Sequence, residues 1–80
     1  MNVTKQEFEF MVQTLTTDII TILVEEKHLP INTAFDILYQ SNIYSKLLDS
    51  NTGLYYQSPR YVYSYLEEEK HQEIINGEVI

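Results

Sequence analysis

Residues 4–23 read TKQEFEFMVQTLTTDIITIL, and this stretch decides the fold class. Its apolar residues recur at intervals of three and four, which places them along one side of an α-helix. They are Phe8, Met11, Val12, Leu15, Ile19, Ile22 and Leu23. Phe10, Ile20 and Val24 extend the apolar surface beyond that stripe. We therefore expect a first helix that depends on tertiary contacts and offers apolar surface to a second protein.

Both ends of this helix carry sequence signals. Thr4 and Glu7 form a capping-box pattern, in which each side chain accepts a hydrogen bond from an otherwise unpaired backbone N–H. At the other end Leu29 precedes Pro30, and a residue before proline avoids the α conformation. These signals predict a first helix over residues 5–28.

The spacing of apolar residues predicts a second helix over residues 31–40 and a third, short helix over residues 42–50. The expected core residues are Ile31, Ala34, Phe35 and Leu38 in the second helix and Ile43, Tyr44, Leu47 and Leu48 in the third. Ser41 is placed to cap the third helix. The cluster that follows ends in Gly53, which readily adopts a positive φ and therefore indicates a turn.

Ser58 and Pro59 mark the start of a fourth helix, because serine is a good N-cap and proline fits the first helical position. We predict this helix over residues 59–72, with Val62 and Leu66 facing the core. The sequence thus predicts an all-α fold, a single bundle of about four helices in one domain over residues 1–72.

The last residues, 73–80, are open to two interpretations. Asn76-Gly77 lies between two apolar pairs, which is a hairpin signal. The same pair also suits the end of a helix, with Gly77 in the left-handed cap position. We favour a helix end followed by a loose tail, because a hairpin with such short strands is only marginally stable.

Five of the seven tyrosines fall between positions 55 and 65. Tyrosine combines an apolar ring with a polar tip and is enriched at the centres of protein interfaces. The candidate partner-binding residues are therefore Tyr55, Tyr56, Arg60, Tyr61, Tyr63 and Tyr65. In the alternative interpretation Tyr55, Tyr61 and Tyr65 wrap a small core, with Tyr61 and Tyr65 on one ridge and Tyr63 pointing elsewhere.

The formal net charge of −7 rests on 12 acidic and 5 basic residues, and the basic ones are scattered along the chain. Nucleic-acid binding needs a cluster of cations facing the phosphates, so we expect no nucleic-acid or anionic-membrane partner. A basic partner surface is the electrostatic complement. The absence of cysteine, of a secretory signal and of a long apolar run predicts a cytoplasmic protein.

No catalytic pattern is present, so we expect no enzyme activity, cofactor or metal. His28 and His71 belong to no metal-ligand spacing and are interpreted as a helix-end residue and a surface residue. The run Glu67-Glu68-Glu69 is interpreted as a solvated face, since consecutive helical residues point in different directions. No nucleophile elbow or phosphate-binding loop occurs.

The runs AFDILYQS at residues 34–41, YSKLLD at 44–49, TGLY at 52–55 and SPRYVY at 58–63 resemble a family of small bacterial proteins of unknown function. The resemblance covers about residues 5–70 and rests on the motif TGLY-x-x-SP-x-YVY. It implies an all-helical fold and a bacterial origin, and it carries no catalytic residue. Some related small families are found beside toxin or mobile-element genes, which implies an antitoxin-like or accessory binding role.

Together these features predict a non-enzymatic protein-interaction module. It is expected to bind a protein partner, or a second copy of itself, through the first helix and the tyrosine-rich residues 54–66. Two alternatives remain at this stage. One is an antitoxin-like regulator that neutralises a toxin encoded nearby, and the other is a small ligand-binding domain with a closed, tyrosine-lined pocket and a buried ionisable group.

Overall fold

The computed structural model describes residues 3–79, with the side chains of residues 3–72, and four helices occur in this range. They are Lys5–Glu25 (α1), Ile31–Tyr39 (α2), Asn42–Leu47 (α3) and Pro59–Val79 (α4). Two 3₁₀ turns, Ser50–Thr52 and Leu54–Tyr56, connect α3 to α4. No strand occurs within residues 3–79, and the predicted all-α bundle is confirmed.

The helices share one apolar core, to which α1 contributes the most side chains. The buried residues of α1 are Val12, Leu15, Ile19, Ile20, Ile22 and Leu23. The largest fully buried side chains of the described residues are Ile19, Leu38, Leu47, Val62 and Leu66. These five come from all four helices. Each buried aliphatic side chain contributes roughly 1.5–3 kcal/mol through the hydrophobic effect, so the core depends on every helix being in place.

The N-terminus of α1 has the predicted capping box. The Glu7 backbone N–H donates to Thr4 Oγ1 at 3.0 Å, and the Thr4 N–H donates to Glu7 Oε1 at 2.8 Å. The predicted end at residue 28 is wrong, since α1 ends at Glu25. His28 adopts a left-handed φ of 58°, which turns the chain before Pro30, and the Leu29 N–H then reaches back to the Leu23 carbonyl at 3.3 Å.

Two predicted core residues lie at the surface instead. Ile31 is exposed because it is the first residue of α2, where the chain leaves the turn at Pro30. Leu48 is exposed because α3 ends at Leu47, earlier than the predicted residue 50, and the chain changes direction there. The remaining predicted core residues of α2 and α3 are buried or partly buried against the core.

α4 is longer than predicted, because it continues past residue 72 to Val79. The backbone is helical through Asn76-Gly77, where the sequence favoured a helix end and allowed a hairpin. A continuous helix keeps one backbone hydrogen bond per residue, whereas a short terminal hairpin gains few.

Candidate functional site

The structure divides the tyrosine-rich segment into buried and exposed members. Tyr55 and Tyr63 are buried, whereas Tyr56, Tyr61 and Tyr65 are exposed. The sequence placed Tyr63 off the ridge of Tyr61 and Tyr65 without saying where its ring lies, and the structure buries that ring in the core. Tyr63 follows the buried Val62 directly, and both lie on the side of α4 that faces the core.

Burial has a chemical consequence for Tyr63. Its hydroxyl lies 3.4 Å from Glu67 Oε2, one turn further along α4. Burial, followed by the negative charge of Glu67, raises the pKa of Tyr63 above its ordinary value of 10.0. The group stays a neutral hydrogen-bond donor and supplies no base.

Tyr61 and Tyr65 form a surface pair, as their shared ridge predicts, but they do not wrap the core. Their rings meet edge to face at 5.1 Å between centroids, and their hydroxyls lie 3.0 Å apart. The hydrogen bond with Tyr61 raises the pKa of Tyr65. At the surface of α4 the two rings therefore pack against each other, and their hydroxyls form a hydrogen bond with each other.

Tyr55 anchors the loop that carries Tyr56. Its buried ring packs edge to face on Phe8 of α1, with 4.9 Å between centroids, and Tyr56 packs on Tyr55 at 5.1 Å. Gly53 adopts a φ of 72°, and a Cβ at this position would lie 2.8 Å from the Tyr56 hydroxyl. The left-handed glycine therefore brings the chain close beneath the Tyr56 ring and holds that ring at the surface beside α1.

An apolar groove lies where α1 meets this loop and the start of α4. Its volume is about 230 Å³, and its lining residues are Phe10, Met11, Thr14, Leu15, Asp18, Tyr55, Tyr56, Gln57 and Pro59. Phe10 is 69% exposed and Tyr56 is 50% exposed, so both rings leave apolar area in contact with water beside the groove. We call this surface the Phe10–Tyr56 groove.

Helix geometry explains the wall that α1 contributes. Phe10, Thr14 and Asp18 are spaced by four residues, so they follow one another along one side of the helix. At 1.5 Å per residue, the wall from Phe10 to Asp18 is about 12 Å long. The groove therefore joins the two surfaces that the sequence singled out, the first helix and the tyrosine-rich segment.

The side chain of Arg60, a candidate partner-binding residue, pairs with an acidic residue of the same chain. Its guanidinium forms a two-point ion pair with Glu26, in which Nη1 donates to Oε1 at 2.9 Å and Nη2 donates to Oε2. The hydrogen bonds from Arg60 lower the pKa of Glu26, and those to Glu26 raise the pKa of Arg60. This pair ties the start of α4 to the end of α1.

The glutamate run does more than form a solvated face. The Asn42 N–H donates to Glu69 Oε2 at 2.8 Å, and the Ile43 N–H donates to Oε1 at 3.0 Å, so Glu69 caps the N-terminus of α3. Glu67 pairs with Lys27 at 3.1 Å. Sequence reasoning missed both contacts. The open backbone donors after Ser41 signal that an acceptor is needed, but they do not say which residue supplies it.

A second concavity lies between the N-terminus of α1 and the two 3₁₀ turns. It has a volume of about 620 Å³ and is lined in part by Lys5, Phe8, Asn51 and Tyr55. It is open to solvent, and its charged residue, Lys5, is exposed. The closed pocket expected of a ligand-binding domain, with a buried charged group, does not form at this position.

Within the described residues, no group of three or more His, Asp or Glu side chains is arranged to hold a metal ion. Both histidines, His28 and His71, are exposed. No helix of the described range combines the length and the apolarity required to cross a membrane.

Comparison of the chain with protein-family models, with curated proteins and with solved structures found no match. The interpretation of the site therefore rests on its own geometry.

Proposed function

We propose that this protein is a non-enzymatic protein-interaction module that binds a partner protein, or a second copy of itself, through the Phe10–Tyr56 groove. The proposal keeps the bacterial, cytoplasmic setting that the sequence predicts. A toxin is one class of partner within it. The observation that carries the proposal is that two exposed aromatic rings, Phe10 of α1 and Tyr56 of the second 3₁₀ turn, line the same apolar groove.

The energetics of the groove support binding. Covering an exposed aromatic ring removes a large apolar area from water, at about 25 cal/mol per Å². Tyr56 is held from below by Gly53 and from the side by Tyr55, so little side-chain freedom remains to be lost on binding. A rigid aromatic residue beside an apolar groove has the properties of a binding hot spot.

Site-specific photo-cross-linking tests the proposal. The photoreactive residue p-benzoylphenylalanine replaces Phe10 or Tyr56 in the protein expressed in its source cells, and irradiation then links it covalently to whatever occupies the groove. We expect both positions to yield an adduct with the same protein, identified by mass spectrometry.

Two matched positions serve as controls in the same experiment. Glu68 is exposed on α4, and Tyr61 belongs to the separate surface pair with Tyr65. Adducts at Glu68 that equal those at Phe10 would contradict the proposal, as would the absence of any adduct at Phe10 and Tyr56. An adduct at Tyr61 alone would move the binding surface to α4.

A further inference from the structure

The exposed polar side of α1 is mainly acidic. Its one cation is Lys5, at the first position of the helix, and its other charged residues are Glu7, Glu9, Asp18 and Glu25, with Glu26 following as the C-cap. Glu7 is used in the capping box and Glu26 pairs with Arg60. The remaining carboxylates of α1 face solvent or the groove, and this half of the molecule presents a negative potential to any approaching partner.

Among the described side chains that line the Phe10–Tyr56 groove, the charged one is Asp18. It is partly buried, and no cation or side-chain donor of the described residues pairs with it. The Asp18 carboxylate is therefore open to a hydrogen bond or an ion pair with a group from outside the chain. A cation placed at this end of the groove would be attracted to it.

From this arrangement we infer that the groove binds a basic amphipathic segment of another protein, with an apolar side chain against Phe10 and Tyr56 and a Lys or Arg on Asp18. The inference rests on the proposed function and adds the chemistry of the partner. The two anchor points are about 12 Å apart along α1, which corresponds to residues i and i+7 or i+8 of a partner helix.

A second copy of this chain fits the groove poorly. Each copy has a net charge of −7, so two copies repel each other electrostatically. Like charges placed opposite each other in an interface weaken binding and slow association. Two of its cations are already paired within the chain, Lys27 with Glu67 and Arg60 with Glu26. Charge complementarity therefore selects a basic partner over self-association.

Synthetic peptides test the inference directly. The probes are three fluorescein-labelled amphipathic helical peptides of about 18 residues that share one leucine face and carry Lys, Gln or Glu on the polar face. Fluorescence anisotropy measures their affinity for the full chain. We expect the Lys peptide to bind most tightly and the Glu peptide most weakly, and we expect added salt to weaken binding of the Lys peptide.

Three variants locate the binding. Phe10→Ala should lower the affinity for the Lys peptide by about 30-fold, as for a hot-spot residue. Asp18→Asn should lower the affinity for the Lys peptide by about fivefold and leave the affinity for the Gln peptide unchanged. Glu25→Gln removes the same charge from an exposed position of α1 outside the groove, and its effect on the Lys peptide should stay under about twofold. Circular dichroism confirms that each variant is folded.

This inference and the proposed function are overturned by different results. Equal binding of the Lys and Glu peptides, or equal effects of Asp18→Asn and Glu25→Gln, would overturn the inference that the partner is basic. A cross-link at position 10 would still support the proposed protein binding in that case. A dimer in analytical ultracentrifugation that Phe10→Ala dissociates shows that a second copy covers the groove, which also overturns the inference. If position 10 gives no adduct and the peptides do not bind, both proposals fail.

Discussion

At the scale of single residues, two positive-φ positions control the turns of this fold. Gly53 is at 72° and His28 is at 58°. The turn at Gly53 was predicted from sequence, because glycine adopts this conformation without strain. The turn at His28 was not, because a residue with a Cβ seldom adopts the left-handed conformation and its residue type alone does not signal it.

These two residues should respond to substitution in opposite directions. A left-handed φ costs an L-residue about 1–2 kcal/mol. Glycine avoids this cost but gives up about 0.5–1 kcal/mol of chain entropy. We therefore expect His28→Gly to raise the free energy of unfolding by about 0.5–1 kcal/mol, and Gly53→Ala to lower it by at least as much, because Tyr56 must also move.

Urea denaturation of each variant measures these changes. His28→Ala is the matched control, because it removes the imidazole and keeps the strained backbone. Stabilisation by His28→Ala equal to that by His28→Gly would show that the side chain, and not the backbone conformation, sets the energy of this turn.

At the scale of helices, the sequence predicted where each element begins more reliably than where it ends. The starts of α1, α3 and α4 are marked by Thr4, Ser41 and Ser58, whose side chains accept local backbone hydrogen bonds. The signals for helix ends were less reliable. α1 ends three residues before the predicted residue 28, α3 ends at Leu47, and α4 continues through Asn76-Gly77 to Val79.

The cap that Glu69 provides to α3 leads to a prediction at this scale. Glu69→Ala leaves two backbone N–H groups without their carboxylate acceptor, so we expect it to lower the free energy of unfolding by about 1–2 kcal/mol. Glu69→Gln keeps one acceptor oxygen and should have a smaller effect. Chemical denaturation measures both.

Glu68→Ala is the control for the cap, since Glu68 is the exposed neighbour on the same helix. Its effect should stay within about 0.5 kcal/mol. Hydrogen exchange adds a local readout, because loss of the cap should speed exchange at Asn42 and Ile43. Equal losses from the Glu68 and Glu69 variants would mean that the carboxylate does not stabilise α3.

At the scale of the whole molecule, acid should destabilise this protein through carboxylates that are better hydrogen-bonded when folded. The pKa of Glu7 is lowered by its bonds with Thr4, and the pKa of Glu26 by Arg60, both from an ordinary value of 4.5. A lowered folded-state pKa means that the unfolded chain binds protons first. The stabilisation is therefore complete above pH 4.5 and is lost as the pH falls through the folded-state values.

Urea denaturation from about pH 7 to about pH 3 tests this dependence. The stability difference between the wild-type chain and the double variant Glu7→Gln/Glu26→Gln should be largest at the upper end and should shrink with acid. The double variant Glu9→Gln/Glu25→Gln is the control, because these exposed carboxylates of α1 form no ion pair with the residues that the structure describes. A difference that stays constant with pH would contradict the prediction.

The sequence by itself determined the all-α class, the four helix starts, the capping box and the turn at Gly53. Each of these depends on neighbours within about four residues along the chain, where spacing and side-chain type are sufficient. It also marked α1 and residues 54–66 as candidate surfaces.

Only the tertiary structure decided which tyrosines are buried, that Glu69 reaches α3, and that Arg60 is held by Glu26. It also decided that Phe10 and Tyr56 share a groove with Asp18. These pairings join residues far apart in sequence, and their geometry follows from how four helices divide one small core. Local pattern carries no information about such distances, so the site is formed by packing and not by any single segment.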